Sequence, residues 1–209
     1  HVSMPGGGGL QGANYLFNAA QRDGTVIGLL YDNMPTEQAL ELNKLVKFDA
    51  RQFTLLGSLN KRETGLVGIL KRADIYATLT QARPDWIAQN RFSFIAQSSD
   101  IRDPNFAAVP LLQELTEDPI QREAFRFLAM SRVAGKIVVA PPGVPPERGL
   151  ALQEAFRKML RDPQLLDGMA KLSQEIDPRV PQQVLDVLRA TIETDKAALA
   201  RVREVMQAE

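Results

Sequence analysis

The sequence predicts an α/β protein in which helices pack in layers against a sheet. Two observations lead to this fold class. A run of four glycines is followed directly by a stretch whose apolar residues recur at helical spacing. Further along the chain, short apolar runs alternate with longer amphipathic stretches. Loop, helix and strand that follow one another in this order are typical of a layered α/β structure.

Composition limits the classes of protein that the chain can belong to. Its 209 residues allow one large domain or two small ones. With 25 basic and 25 acidic residues the net charge is 0, so we expect no nucleic-acid partner. No apolar run reaches the roughly 18–20 residues of a membrane span, so we expect no direct insertion into a membrane. The opening residues also lack the pattern of a signal peptide.

The residues that usually carry metal or acid–base chemistry are scarce. The chain has no cysteine, and its one histidine is His1. Zinc sites and general bases normally depend on imidazole or thiolate groups. We therefore expect no catalytic residue, no metal site, no cofactor and no enzymatic activity.

The glycine run predicts an anion-binding loop. Gly6, Gly7, Gly8 and Gly9 precede a helix that begins near Leu10. Four glycines cost much conformational entropy when they become ordered, and an ordinary turn needs only one. Such a loop before a helix brings several backbone N–H groups together with the positive end of the helix dipole. A tight turn without a ligand is the alternative interpretation.

The residues after the glycines narrow the choice of anion. A phosphate loop requires Lys-Ser or Lys-Thr after its last glycine, whereas this chain has Leu10 and Gln11. The dinucleotide fingerprint fits Gly7, Gly9 and Gly12 only because consecutive glycines satisfy almost any spacing. A carboxylate needs nothing but N–H donors, each of which contributes about 1.5–3 kcal/mol.

The first half of the chain contains three apolar runs that predict strands, over 25–31, 54–58 and 65–70. A short helix is expected between the first two, with Thr36 as its N-cap. The second strand ends in Gly57 and Ser58. Small molecules that bind open α/β sheets lie beyond the carboxyl ends of the strands, so these two residues are candidate ligand-binding residues. A plain turn is the alternative interpretation.

The rest of the chain, from about residue 78, predicts further elements in the same alternation. A helix that starts near Thr78 is stopped early by Pro84. A loop that enters a helix is expected over 109–115. The remaining predictions are a strand over 91–96, a largely buried helix over 119–132, a central strand over 136–140, a long helix after the prolines of 141–146, and amphipathic helices to the end of the chain.

Several of these segments together resemble the extracytoplasmic solute-binding receptors of tripartite tricarboxylate transporters (the TctC or Bug type). The segments that carry the resemblance are, in order, MPGGGGLQGANYL at 4–16, DGTVIG at 23–28, LGS at 56–58, VPLLQEL at 109–115 and APPGVPPER at 140–148. Each segment alone is a weak signal, but five in the same order cover almost the whole chain.

The resemblance implies a fold, a ligand and partners. It implies a periplasmic-binding-protein-like lobe of the type II flytrap class, with three α/β/α layers, and a small carboxylate-bearing solute held between two lobes. Pro5 and the four glycines match the family's ligand loop, and Ser58, next to Gly57, matches the strand end near it. Membrane transporter subunits or a sensor protein would be the partners of a monomeric periplasmic protein.

The sequence departs from the family's pattern in two places. The family carries a signal peptide, a strand and a helix before the glycine loop. Its members also carry most of a second lobe between the counterparts of residues 83 and 84. We therefore expect residues 1–83 to form the first part of lobe 1 and residues 84–209 to complete it, with most of lobe 2 missing at the junction.

Two other classes of function stay open at this point. One is an α/β enzyme, or a nucleotide- or phosphate-binding domain, that uses the same loop, with Asp32 or Asp49 as its general base. The other is a structural domain without a ligand, in which the glycines form only a turn. A calorimetric screen of di- and tricarboxylates and aromatic acids tests carboxylate binding. A melting temperature that ATP or NAD shifts while succinate does not would favour the enzyme, and intact mass spectrometry, which gives the chain's true length, bears on the structural domain.

Overall fold

The computed structural model describes most of the chain and divides it into two compact units. The first unit comprises residues 1–61 and 131–194, and the second comprises residues 62–130 and 195–209. The described residues are 2–59, 65–70, 73–74, 89, 92–99, 101–130, 133–172 and 176–207. The predicted junction at 83/84 and the helix expected near Thr78 lie outside the described residues, so both stay predictions.

The described residues form six strands and seven α-helices, numbered here in chain order. The strands are β1 (Gly28–Leu30), β2 (Thr54–Ser58), β3 (Gly65–Leu70), β4 (Ala73–Asp74), β5 (Phe92–Ser98) and β6 (Ile137–Ala140). The helices are α1 (Leu10–Asn18), α2 (Met34–Leu40), α3 (Pro119–Met130), α4 (Pro146–Met159), α5 (Pro163–Lys171), α6 (Pro181–Ile192) and α7 (Lys196–Gln207).

The first unit is built on an antiparallel sheet with the strand order β1-β6-β2. All four residues of β6 are buried, which agrees with the central strand that its uninterrupted apolar run predicts. Leu30 of β1 and Ser58 of β2 both pair with Ile137, the first residue of β6. The carboxyl ends of β1 and β2 therefore lie at the same end of the sheet.

Helices cover both faces of this sheet. On one face, Ile137 and Val139 share a buried cluster with residues of α1 and α6, such as Leu10 and Leu188. On the other face, Phe156 of α4 packs in a second cluster with residues of β2 and β6. Burial of each large apolar side chain contributes about 1.5–3 kcal/mol. The three-layer α/β/α arrangement predicted for the chain is thus present in the first unit.

Helix α2 begins earlier than its sequence pattern suggests. Its N-cap is Asn33 rather than Thr36, because Pro35 occupies the first turn, where its fixed φ favours the helix. The Thr36 hydroxyl is buried and has no hydrogen-bond partner in the described part of the chain. The prediction of Thr36 as the cap was therefore wrong.

The second unit contains a separate antiparallel sheet with the order β4-β3-β5, and helix α3 packs against helix α7. Residues 109–115 form a loop with a single 3-10 turn, Leu112–Glu114, instead of the entry to an α-helix. Helix α3 is only half buried, since Ile120 and Leu128 are 43% and 40% exposed.

A buried glutamine organises the loop that follows β5. The Gln97 side chain is fully buried, and its Nε2 donates to the carbonyl oxygens of Phe106 at 2.9 Å and Val109 at 2.7 Å. Its Oε1 accepts from the backbone N–H of Asp103 at 2.9 Å. The Phe106 carbonyl also accepts from the Val109 N–H, and the Val109 carbonyl also accepts from Arg102 Nη1, so Gln97 joins a network of hydrogen bonds within the loop. This one side chain therefore holds a loop that has little regular structure of its own.

Candidate functional site

The four glycines adopt a backbone conformation that other residues rarely take. Their φ angles are +134° at Gly6, +53° at Gly7, +62° at Gly8 and +92° at Gly9. An L-residue pays about 1–2 kcal/mol for left-handed backbone, whereas glycine does not. Gly7–Gly9 form a 3-10 turn directly before α1. The geometry explains why four glycines stand in succession here.

Two of the loop's amides are engaged in internal hydrogen bonds. The Gly9 N–H donates to the Gly6 carbonyl at 3.0 Å, and the Leu10 N–H donates to the Gly7 carbonyl. The amides of Gly7 and Gly8 are not among the donors that are paired in the described part of the chain, and both residues are exposed. Among the glycines, the Gly9 amide is thus committed internally, and the adjacent amides of Gly7 and Gly8 in the 3-10 turn are available as donors. The Gly6 amide, before the turn, is likewise not among the donors paired within the described residues.

The loop lies against the segment that follows β1. A Cβ placed on Gly9 would lie 2.6 Å from Cδ2 of Tyr31, and one placed on Gly8 would lie 3.4 Å from Nδ2 of Asn33. The Asn33 Oδ1 is buried and has no partner among the described residues. The sequence prediction missed Tyr31 and Asn33. Their position just beyond the carboxyl end of a strand was the signal that could have identified them.

Sheet topology brings the predicted site residues to one end of the first unit. The glycine loop contacts Tyr31, the residue after β1, and Ser58 is the last residue of β2. Since β6 lies between these strands, β1 and β2 are about 10 Å apart across the sheet. Pro5 is exposed just before the loop.

Gly57 and Ser58 are held by internal contacts. Ser58 is fully buried; its N–H donates to the Arg179 carbonyl at 3.1 Å, and its hydroxyl accepts from the Arg179 N–H at 3.3 Å. Gly57 has a φ of +143° at a bulge in β2. A Cβ there would lie 2.7 Å from Cε1 of Phe156. These contacts give both residues a structural role, and their contact with a ligand stays a prediction.

One candidate general base of the enzyme alternative is already committed to other groups. The Asp49 carboxylate accepts from the Arg51 guanidinium at 2.9 Å and from the side chain of Gln38 at 3.1 Å. The bond from Arg51 is the largest cause that holds the pKa of Asp49 well below its usual range. A carboxylate with so low a proton affinity is a poor general base near neutral pH.

Within the described residues, no group of three or more His, Cys, Asp or Glu side chains could hold a metal ion. A search of the same residues for a membrane-crossing segment finds no helix with the necessary length and apolar character.

The chain matches no protein-family model and no curated protein. Solved structures that are similar to it include the following two. One is a TctC solute-binding protein from Polaromonas, solved with no ligand, with a TM-score of 0.62, 14% identity, and coverage of 100% of this chain and 86% of that one. The other is the periplasmic binding protein BugD, with a TM-score of 0.50, 16% identity, and coverage of 97% of this chain and 84% of that one.

These similarities concern the fold. The predicted resemblance to solute-binding proteins of the TctC and Bug type is confirmed at that level. Because this chain covers 86% of the Polaromonas protein, part of that protein's length has no counterpart here, which is consistent with the predicted partial lobe. The chain has the α/β fold of the TctC and Bug solute-binding proteins.

Proposed function

We propose that this chain is an extracytoplasmic solute-binding protein that captures a small carboxylate-bearing solute at the glycine loop. The observation that carries the proposal is the pair of exposed amides at Gly7 and Gly8, which lie at the carboxyl end of β1 and lack an internal partner in the described part of the chain. The fold supports this proposal, since the two similar structures are binding proteins.

The two N–H donors can supply a substantial part of the binding free energy. Two charge-assisted hydrogen bonds contribute about 3–6 kcal/mol together. A micromolar ligand requires roughly 8 kcal/mol, so further contacts must supply the rest. Asn33 is suited to this, because its Nδ2, which would lie 3.4 Å from a Cβ placed on Gly8, is a hydrogen-bond donor.

The proposal extends to the protein's partners and its location. A bound solute would be delivered to the membrane subunits of a tripartite tricarboxylate-type transporter, or presented to a sensor protein, by a monomer in the periplasm. BugD is described as a periplasmic binding protein, which supports this location. No chemical step is proposed, because binding by backbone amides requires none.

Calorimetry on the full chain tests the proposal. Succinate, citrate and aromatic monocarboxylates are titrated into the protein and into the variant Gly8→Ala. The added methyl group has room, since its closest neighbour would be Asn33 Nδ2 at 3.4 Å, but it disfavours the φ of +62° that aims the amide. We expect the Kd for the ligand to rise about 10- to 100-fold, as for loss of one charge-assisted bond.

The variant Gly143→Ala is the matched control. Gly143 also has a positive φ, of +79°, and a Cβ there would meet nothing closer than 3.8 Å. It follows β6, whose last residue Ala140 pairs with Thr54 at the start of β2, so it lies beyond the opposite end of the sheet. Its Kd should equal that of the unmodified chain. Heat of binding with ATP or NAD but with no carboxylate would favour the nucleotide-binding alternative.

A further inference from the structure

An exposed apolar strip begins at the glycine loop. Ile27, Leu29 and Tyr31 are 55%, 56% and 60% exposed. The residues between them face the other way, since Leu30 is only 4% exposed and Gly28 packs against Leu16. This alternation is that of a strand, in which every second side chain lies on one face. Ile27 and Leu29 therefore lie on the face of the strand opposite Leu16, and Tyr31, the residue after β1, stands at its end; these three exposed side chains are here called the β1 strip.

The β1 strip and the two donor amides are neighbours. The Tyr31 ring lies against the backbone of Gly9, where a Cβ would be only 2.6 Å from Cδ2. At about 3.3 Å per residue, Leu29 lies about 7 Å from Tyr31 along the strand, and Ile27 about 13 Å. An apolar surface thus leads away from the amides of Gly7 and Gly8 along the strand.

The fold leaves the β1 strip uncovered by the rest of the described first unit. Strand β1 stands at one edge of the order β1-β6-β2, and helix α4 packs on β2 at the other side. Exposed large apolar side chains occur singly on most proteins and need no explanation. A strip of three that ends at two N–H donors, unpaired within the described part of the chain, combines an apolar surface with an anion-binding group.

We propose that Tyr31 determines specificity at this site, and that the ligand is a monocarboxylate with an apolar body rather than a compact polycarboxylate. This inference rests on the proposed function. The carboxylate accepts from the Gly7 and Gly8 amides while its apolar body covers Tyr31 and then Leu29. Each methylene removed from water strengthens binding about fourfold. Citrate would place a second charged group over apolar side chains, which is unfavourable because that group loses hydration.

A homologous series of ligands tests the inference. Butanoate, hexanoate, octanoate and decanoate are titrated calorimetrically into the full chain, with succinate and citrate for comparison and 1-octanol as the neutral analogue. We expect affinity to rise about fourfold for each methylene that covers the β1 strip. Octanoate should bind at least tenfold more tightly than citrate, and 1-octanol should not bind measurably.

Three variants assign the effect to Tyr31. Tyr31→Ala should weaken octanoate binding at least tenfold, whereas Tyr31→Leu, which keeps an apolar side chain, should restore most of it. Tyr15→Ala is the matched control, because Tyr15 is an exposed tyrosine on α1, 41% exposed, about two turns from the loop. It should leave binding unchanged. Since Tyr31 is 60% exposed, its replacement leaves the folded state intact, which circular dichroism verifies.

The outcomes separate this inference from the proposed function. Succinate or citrate binding as tightly as octanoate, with no effect of Tyr31→Ala, would overturn the inference and leave the proposed function standing. Binding of 1-octanol as tight as that of octanoate would overturn it as well, since the amides would then play no part. No binding by any carboxylate would overturn both.

Discussion

Replacement of Gly57 by alanine should destabilise the first unit by collisions that the structure locates. The added Cβ would lie 2.7 Å from Cε1 of Phe156 and 2.8 Å from the carbonyl oxygen of Arg179. Ordinary contacts of a Cβ lie at 3.4–4 Å, so both neighbours would have to move. The Arg179 carbonyl accepts the N–H of Ser58 at 3.1 Å and cannot withdraw without weakening that bond.

Two contributions set the magnitude. The φ of +143° at Gly57 is unfavourable for an L-residue and costs about 1–2 kcal/mol. Overpacking in a tightly packed interior costs a further 1–3 kcal/mol, approximately. We expect the free energy of unfolding to fall by about 2–5 kcal/mol in total. Gly143→Ala, which has the strain but no neighbour closer than 3.8 Å, should lose only the first contribution.

Urea unfolding followed by far-UV circular dichroism measures both variants. With a dependence of about 1–3 kcal/mol per molar urea, the Gly57→Ala midpoint should fall by roughly 1–2 M. A second substitution, Phe156→Leu, removes the ring edge and should make the cost of Gly57→Ala smaller. Equal midpoints for Gly57→Ala and Gly143→Ala would refute the reasoning, since the collisions would then have no energetic consequence.

Two further predictions concern polar side chains that accept or donate several hydrogen bonds. Gln97→Leu should lower the free energy of unfolding by about 1–3 kcal/mol, because the Asp103 N–H loses its acceptor and the carbonyls of Phe106 and Val109 each lose one of two donors. Hydrogen exchange at Asp103 should accelerate, and unchanged exchange would contradict this. The pKa of Asp49 is lowered chiefly by Arg51, so its stabilising contribution is complete above the unfolded value of 3.8 and is lost as the pH falls through the lower folded value. Asp49→Asn should therefore make the decline of stability below pH 4 shallower, as measured by urea unfolding at successive pH values, and an unchanged slope would refute it.

The sequence pattern alone was sufficient to predict the helices and strands whose formation depends on neighbouring residues in the chain. The apolar run at 136–140 predicted the central strand β6, and the spacing after the glycines predicted α1. The cap of α2 was misassigned because Pro35 and Thr36 give competing signals, and the proline moved the helix start to Met34.

The details of the site depended on contacts that a sequence pattern does not contain. That the Gly9 N–H is paired with the Gly6 carbonyl follows from φ angles, which a run of glycines leaves undetermined. The proximity of Tyr31 to Gly9 arises because α1 leads the chain back to the sheet, so that the end of β1 meets the loop. Neither relation can be seen from the spacing of residues.

The left-handed backbone of the glycine loop limits which mutations could change the ligand preference of the proposed site. Any single replacement there by a residue other than glycine, asparagine or aspartate places a side chain where the backbone is the mirror image of the favoured one. Lengthening a surface connection is much less costly, since doubling it adds only about 0.6 kcal/mol. New ligand preferences would therefore arise more readily from insertions, or from changes in the side chains around the loop, than from substitutions of the glycines themselves.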